Sequence, residues 1–187
     1  LWEHRVLIGP QWLVDAAPTL KNSDLADGLA LLSISNGHGA RLLDETVLAF
    51  TDAYVEHGQA RSAVVASDPQ AVSRLERSCP PDDVAEAGPL SILSAHFVTL
   101  DERDEPTAGA GYGESQGILA SVGVLTPPAV RRRGHGTLAA AIATNDALDA
   151  GLIPQWRARR GHRGSWALAK RLGYREIGSQ TTVLLGS

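Results

Sequence analysis

The segment that constrains this chain most is Val122-Gly-Val-Leu-Thr-Pro-Pro-Ala-Val-Arg-Arg-Arg-Gly-His-Gly-Thr137, where a strand-like run passes through a basic, glycine-containing turn into a helical pattern. Ile118, Ala120, Val122 and Val124 alternate as one face of a strand, and Pro127 and Pro128 forbid its continuation. Leu138, Ile142, Asn145, Leu148 and Leu152 then form one stripe of a helix that starts near Gly136 and closes near Gly151. The first turn of a helix leaves backbone N–H groups without intrahelical partners, and its aligned peptide dipoles favour negative charge there. Gly134 and Gly136 remove side chains that would hold a phosphate away from those groups, while Arg131, Arg132 and Arg133 add charge and bidentate donors. The segment reads as an anion cradle. A solvated basic turn ahead of an ordinary helix would not require all of these features to coincide.

Glycine turns that hold phosphates differ in detail. The nucleotide-triphosphate loop needs Gly-Lys-Ser/Thr, and this turn has no lysine. Gly134-His-Gly-Thr-Leu-Ala139 satisfies the loose dinucleotide pattern G-x-G-x-x-A. That pattern, however, follows the first strand of a long doubly wound sheet and is answered by a ribose-binding acid about 20 residues on. Here the next strand ends in Arg157 and Arg159, and too little chain remains for the other strands.

The rest of the chain predicts an α/β arrangement. Leu43, Val47, Phe50 and Tyr54, with Asp44 and Glu45 in the first turn, predict a helix over residues 40–57 ended by Gly58. A strand at residues 62–66 precedes a short helix whose cap is Asp68 and whose first residue is Pro69; residues 82–87 add a further helical turn or two. From Leu90 the order reads β-β-β-α-β-α-β: strands at residues 95–100 and 108–112 in a hairpin, the strand and helix around the cradle, a strand at 153–158, a helix at 165–172 closed by Gly173, and a strand at 181–185. Two regions follow: residues 1–89, mixed and without a motif, and residues 90–187.

Arg131-x-x-Gly134-x-Gly136 resembles the Q/R-x-x-G-x-G/A signature of the GNAT superfamily of N-acetyltransferases. Gly151-Leu-Ile-Pro-Gln-Trp-Arg157 resembles the family's next strand, and Ser165-x-x-x-Ala169-x-x-Leu172-Gly173-Tyr174 its closing motif. The resemblance covers residues 90–185. It implies a mixed, mostly antiparallel sheet flanked by helices, with splayed central parallel strands, in which residues 90–187 bind acetyl-CoA and residues 1–89 shape the acceptor side. It also implies that N–H groups of Arg132, Arg133, Gly134, His135, Gly136 and Thr137 hold the CoA pyrophosphate beside Arg131. The pantetheine would run along Val122, Val124 and Leu125, with Ser165 near the cofactor. The activity implied is transfer of an acetyl group from acetyl-CoA to a primary amine that the sequence does not identify; the other reading is an inactive acyl-CoA-binding module that serves regulation or assembly. Two positions depart from the family: His162 replaces a common asparagine, and the tyrosine that often protonates the departing thiolate falls near Ala169.

A base for the amine proton is sought among few residues. Glu114, beside the hairpin end, and His162 are the catalytic candidates; His96 reads as structural. Cys79, the only cysteine, lacks a basic neighbour and cannot form an internal disulfide, so a reducing, cytoplasmic setting fits. The six histidines show no i, i+4 ligand pair, so no metal is expected. A net charge of -4 gives no reason to expect nucleic acid or an anionic membrane as partner, and no apolar run nears the roughly 18 residues of a membrane span. A soluble, unexported protein is expected, and a homodimer is compatible with this pattern. Methionine is absent throughout, even at the start, which reads as a fragment or as a sequence lacking some residues of its parent chain, so spacings within short motifs weigh more than long ones.

Overall fold

The computed structural model describes residues 4–58, 60 and 62–186. In chain order the elements are α1 (Gln11–Ala16), α2 (Gly28–Ile34), β1 (Arg41–Phe50), β2 (Val64–Ala66), α3 (Pro69–Arg77), α4 (Pro81–Ala87), β3 (Ala95–Leu100), β4 (Pro106–Ser115), β5 (Leu119–Leu125), α5 (His135–Asp149), β6 (Ile153–Arg159), α6 (Arg163–Arg171) and β7 (Arg175–Leu184). The described residues gather into two compact units, one within 4–48, 158–163 and 176–186, the other within 49–157 and 164–175.

In the first unit β1 and β7 are sheet neighbours. Its helix α2 is capped by Asp27, whose side chain accepts from Ala30 N at 2.8 Å, and the Thr181 hydroxyl donates to Ala26 O at 2.7 Å. The helix expected over residues 40–57 is the strand β1. Leu43 and Val47 stand four apart, a spacing common to both periods, and the adjacent β-branched pair Thr46 and Val47 favours the extended chain. Helices α1 and α2 had no counterpart in the sequence pattern, and the last strand begins at Arg175 rather than residue 181.

The second unit holds strands in the order β2-β3-β4-β5-β6. The pairs β2–β3, β3–β4 and β4–β5 are antiparallel, and β5–β6 is parallel. The order expected from Leu90 is therefore present, as is the cap of α3, where Asp68 accepts from Gln70 N and Ala71 N at 3.0 and 2.9 Å with Pro69 next to it.

The two faces of this sheet are built differently. Ala108, Ala110 and Tyr112 alternate on β4, opposite Val124 and Val122 of β5, and all but Val124 are buried. This is the α5 face, marked by the Tyr112 hydroxyl donating to Asp146 Oδ2 at 2.7 Å. The stripe expected on α5 is buried at Leu138 and, just past the helix, at Leu152, but it is not the most buried side: Ile142, Asn145 and Leu148 are half-buried, whereas Ala139, Ala140, Ala141, Ala143, Thr144 and Ala147 are fully covered. Small side chains let a helix approach the sheet closely. The opposite face carries Gly109 and Gly111 of β4 and Gly123 of β5, under an apolar cluster of Ala71, Val72, Leu75, Cys79, Leu90, Val98 and Leu125.

Candidate functional site

Parallel pairing of β5 with β6 runs from Leu119 opposite Ile153 to Val122 opposite Trp156 and stops there, while β5 continues to Leu125. Gly123, Val124 and Leu125 keep their β4 partners, Gly111, Ala110 and Gly109. Their backbone on the β6 side is thus an unpaired strand edge, able to receive an extended polar chain as another strand would. Val124 is half-buried, and Leu125, 2% exposed, points into the apolar cluster, so only its backbone can serve such a chain.

The same strand end leads into the turn. Pro128–Val130 make one 3-10 turn, Arg132 takes φ +61° and Gly134 φ +90°, and α5 starts with Gly134 as its cap. No side chain caps this helix. Thr137 N and Leu138 N donate to Gly134 O at 3.0 and 3.1 Å. Among the described residues the N–H groups of Arg132, Arg133, Gly134, His135 and Gly136 have no acceptor. Five successive unpartnered donors, left-handed backbone at two positions and the positive end of a 15-residue helix are the features from which anion-binding concavities are built. A Cβ on Gly134 would meet nothing within 4 Å, so the space above it is open. Gly136 is glycine for another reason: its Cβ would stand 2.8 Å from Thr126 Oγ1 and 3.7 Å from Val124 Cγ1.

The three arginines divide. Arg131 is held by the protein, its Nε donating to Thr126 O at 3.0 Å and its guanidinium paired with Asp83 on α4. Arg132 and Arg133 are exposed and carry no ion pair among the described residues. Asp83 and the Ala87 carbonyl, which lies 2.1 Å from where a Cβ on Gly123 would be, were missed by sequence reasoning because they are distant in the chain, and Thr126, inside the segment, was given no role there. Only Thr126, by its place in that segment, carried any signal.

Ser165 lies in α6, and its Oγ accepts from Trp156 Nε1 at 2.9 Å. Trp156 packs edge-on to Tyr174, whose buried hydroxyl bonds Thr144 Oγ1 at 2.9 Å. Burial pushes the Tyr174 hydroxyl far above its ordinary range, the bond to Thr144 opposing this in part. Ala169 is fully buried. Glu114 is exposed on β4 opposite Ala120, five residues before the strand end at Leu125, hence about 17 Å along the strand from the turn. His162 is exposed in the first unit, its N–H donating to Arg159 O at 2.9 Å in the turn between β6 and α6. Burial and Asp146 push the Tyr112 hydroxyl up to about 12. Cys79 is buried, and burial pushes its thiol up. No helix is long and apolar enough to cross a membrane, and no group of three or more His, Cys, Asp or Glu is placed to hold a metal, both among the described residues.

Residues 99–182 match the family model of the GNAT acetyltransferases. Solved structures with the same fold include a GNAT-family protein from Novosphingobium aromaticivorans, 20% identical, with a TM-score of 0.62 over 80% of this chain and 68% of that one. A GCN5-related N-acetyltransferase-like protein from Streptococcus suis is 18% identical with a TM-score of 0.55 over 83% and 66%. A GCN5-related N-acetyltransferase from Kribbella flavida is 22% identical with a TM-score of 0.56 over 86% and 64%. This chain spans about two thirds of the length of these structures. No curated protein matches it.

Proposed function

We propose that this chain, a relative of the GNAT acetyltransferases through residues 99–182 and through its fold, transfers an acetyl group from acetyl-CoA to a primary amine. The observation that carries the reading is the run of five unpartnered N–H groups at the uncapped start of α5, beside the unpaired edge of β5. In this reading the donors of residues 132–136 hold the diphosphate of the donor, with Arg132 and Arg133 as charged neighbours free to turn toward it. Backbone N–H at Val124 or Leu125 polarises the thioester carbonyl. The thioester supplies an acyl group already activated for attack by a neutral amine.

Proton transfer is the less furnished half. Glu114 and His162 keep their proposed roles as routes for the amine proton, directly or through water. Tyr174 is a poor acid for the leaving thiolate, because its hydroxyl is enclosed and bonded to Thr144. Ala169, buried and without a proton to give, favours the second reading, an acyl-CoA-binding module without turnover. Residues 1–89 shape the acceptor side in this proposal, and the setting is cytoplasmic.

Acetyl-CoA at a hundredfold excess over its Kd adds about 2.7 kcal/mol to the stability of the folded state, so the melting temperature rises, while NADH and ATP do much less. Gly134→Asp and Gly134→Asn adapt equally to the left-handed backbone, but only the first puts a negative charge into the open space. CoA affinity should fall roughly tenfold further in the Asp variant, about one charge-assisted bond. Equal affinity in the two variants means that the diphosphate lies elsewhere. Thiol release with an amine panel separates the enzyme from the binding module, which binds without turnover.

A further inference from the structure

The turn that holds the five free donors has little of its own to keep it in shape. On its strand side the backbone bonds are Val130 N to Pro127 O at 3.0 Å and Arg131 N to Pro128 O at 3.5 Å, and on its helix side Gly134 O accepts from Thr137 N and Leu138 N, which leaves Arg132 and Arg133 without a backbone bond through their N–H groups. Arg132 itself sits at φ +61°, a conformation that a residue with a Cβ enters only against a steric cost. What fixes the entrance to the turn is the Arg131 side chain, anchored at one end to Thr126 O and at the other to Asp83.

Asp83 stands on a helix packed against the apolar cluster. It lies in the first turn of α4, whose Val84 and Ala87 pack against the apolar cluster. The last residue of that helix presses its carbonyl on Gly123, the first residue of the unpaired β5 edge. One seven-residue helix thus touches both halves of the proposed donor site, through Asp83 at its start and Ala87 at its end.

We propose that Asp83 is a positioning residue for the donor site: through Arg131 it holds the turn in its anion-receiving shape and couples α4 to the diphosphate. The proposal rests on the reading of residues 132–136 as a diphosphate cradle. Two physical effects of Asp83 have opposite signs, which makes the proposal decidable. Its carboxylate is a negative charge near an anion site, so on charge alone its removal tightens CoA binding. As an anchor for Arg131, its removal frees the turn and weakens CoA binding. The side chains of the pair are 42% and 37% exposed, a setting in which a bare ion pair contributes little to stability, so an effect on affinity would not be a by-product of lost folding energy.

The test is calorimetric titration of the wild type, Asp83→Asn, Asp83→Glu, Arg131→Ala and the Asp83→Asn/Arg131→Ala double variant with coenzyme A and with pantetheine, which lacks the diphosphate. Asp83→Asn should weaken coenzyme A binding roughly fivefold, the upper range for such a pair, and leave pantetheine unchanged. Asp83→Glu should recover part of the loss, and once Arg131 is gone Asp83→Asn should no longer weaken binding, only the opposing charge effect being left. Tighter or unchanged coenzyme A binding in Asp83→Asn overturns the proposal, as does an equal loss for pantetheine. A wild-type chain that binds no coenzyme A takes the cradle reading down first and this inference with it, whereas wild-type binding retained in Asp83→Asn sinks the inference alone.

Discussion

On one face of the second unit's sheet, small residues meet small residues: Ala108, Ala110 and Ala120 share the buried layer with the alanines of α5. On the other, glycines lie under larger groups. A Cβ on Gly109 would stand 2.3 Å from Leu75 Cδ2, and one on Gly123 would stand 2.1 Å from Ala87 O. The α5 face also carries polar ties, Tyr112 to Asp146 and Tyr174 to Thr144, which set the register of that helix and hence where its N-terminus points. The glycine face has an apolar cluster instead. Burial there supplies cohesion, while the α5 face supplies alignment for the site.

That division orders the expected effects. Leu75→Ala empties the centre of the apolar cluster and should cost about 2–5 kcal/mol, seen as a lower urea midpoint. Gly123→Ala should cost about 1–3 kcal/mol, near the top of that range, because the obstructing atom is a backbone carbonyl and α4 must move. Thr144→Val strands the buried Tyr174 hydroxyl on the α5 face and should cost about 1–3 kcal/mol, less than Leu75→Ala. If Thr144→Val proves the costliest of the three, cohesion and alignment are not divided between the faces as described.

The same contrast explains what the sequence could show. The cradle was legible because its parts are contiguous: a strand run, two prolines, three arginines and two glycines within residues 122–137. The two glycines have different reasons that spacing does not reveal, Gly134 its backbone at φ +90° and Gly136 the Thr126 side chain. The elements after Leu90 followed from local alternation and breakers. The helix read over residues 40–57 failed because Leu43 and Val47 fit both periods, and because Thr46 and Ala49 are buried with Val47 by tertiary packing. Asp83 and Ala87 were illegible for a plainer reason: each meets its partner across 48 and 36 residues of chain, and nothing in the residues between announces the meeting. Alanine on α5 concealed its buried side, since a helix rich in alanine shows no apolar stripe sharper than its scattered large residues.

The smallest effect separates the two faces by pH. The Tyr112 hydroxyl is raised to about 12 in the folded chain, by burial first and by Asp146 second, against an ordinary value of 10.0. The fold thus favours the neutral phenol. Its stabilising contribution is complete below pH 10 and is lost as the pH rises through 12. Tyr112→Phe removes that dependence together with the bond to Asp146, so near pH 8 the variant should be less stable by about 0.5–1.5 kcal/mol. Between pH 10 and 12 the wild type loses stability that the variant does not, and the gap between their urea midpoints should narrow. Tyr174, Tyr54 and Cys79, also raised, are present in both proteins and cancel in the difference. A gap that stays constant from pH 8 to pH 11 would show that Tyr112 ionises as freely in the fold as out of it, and that its tie to Asp146 does not hold α5 in register.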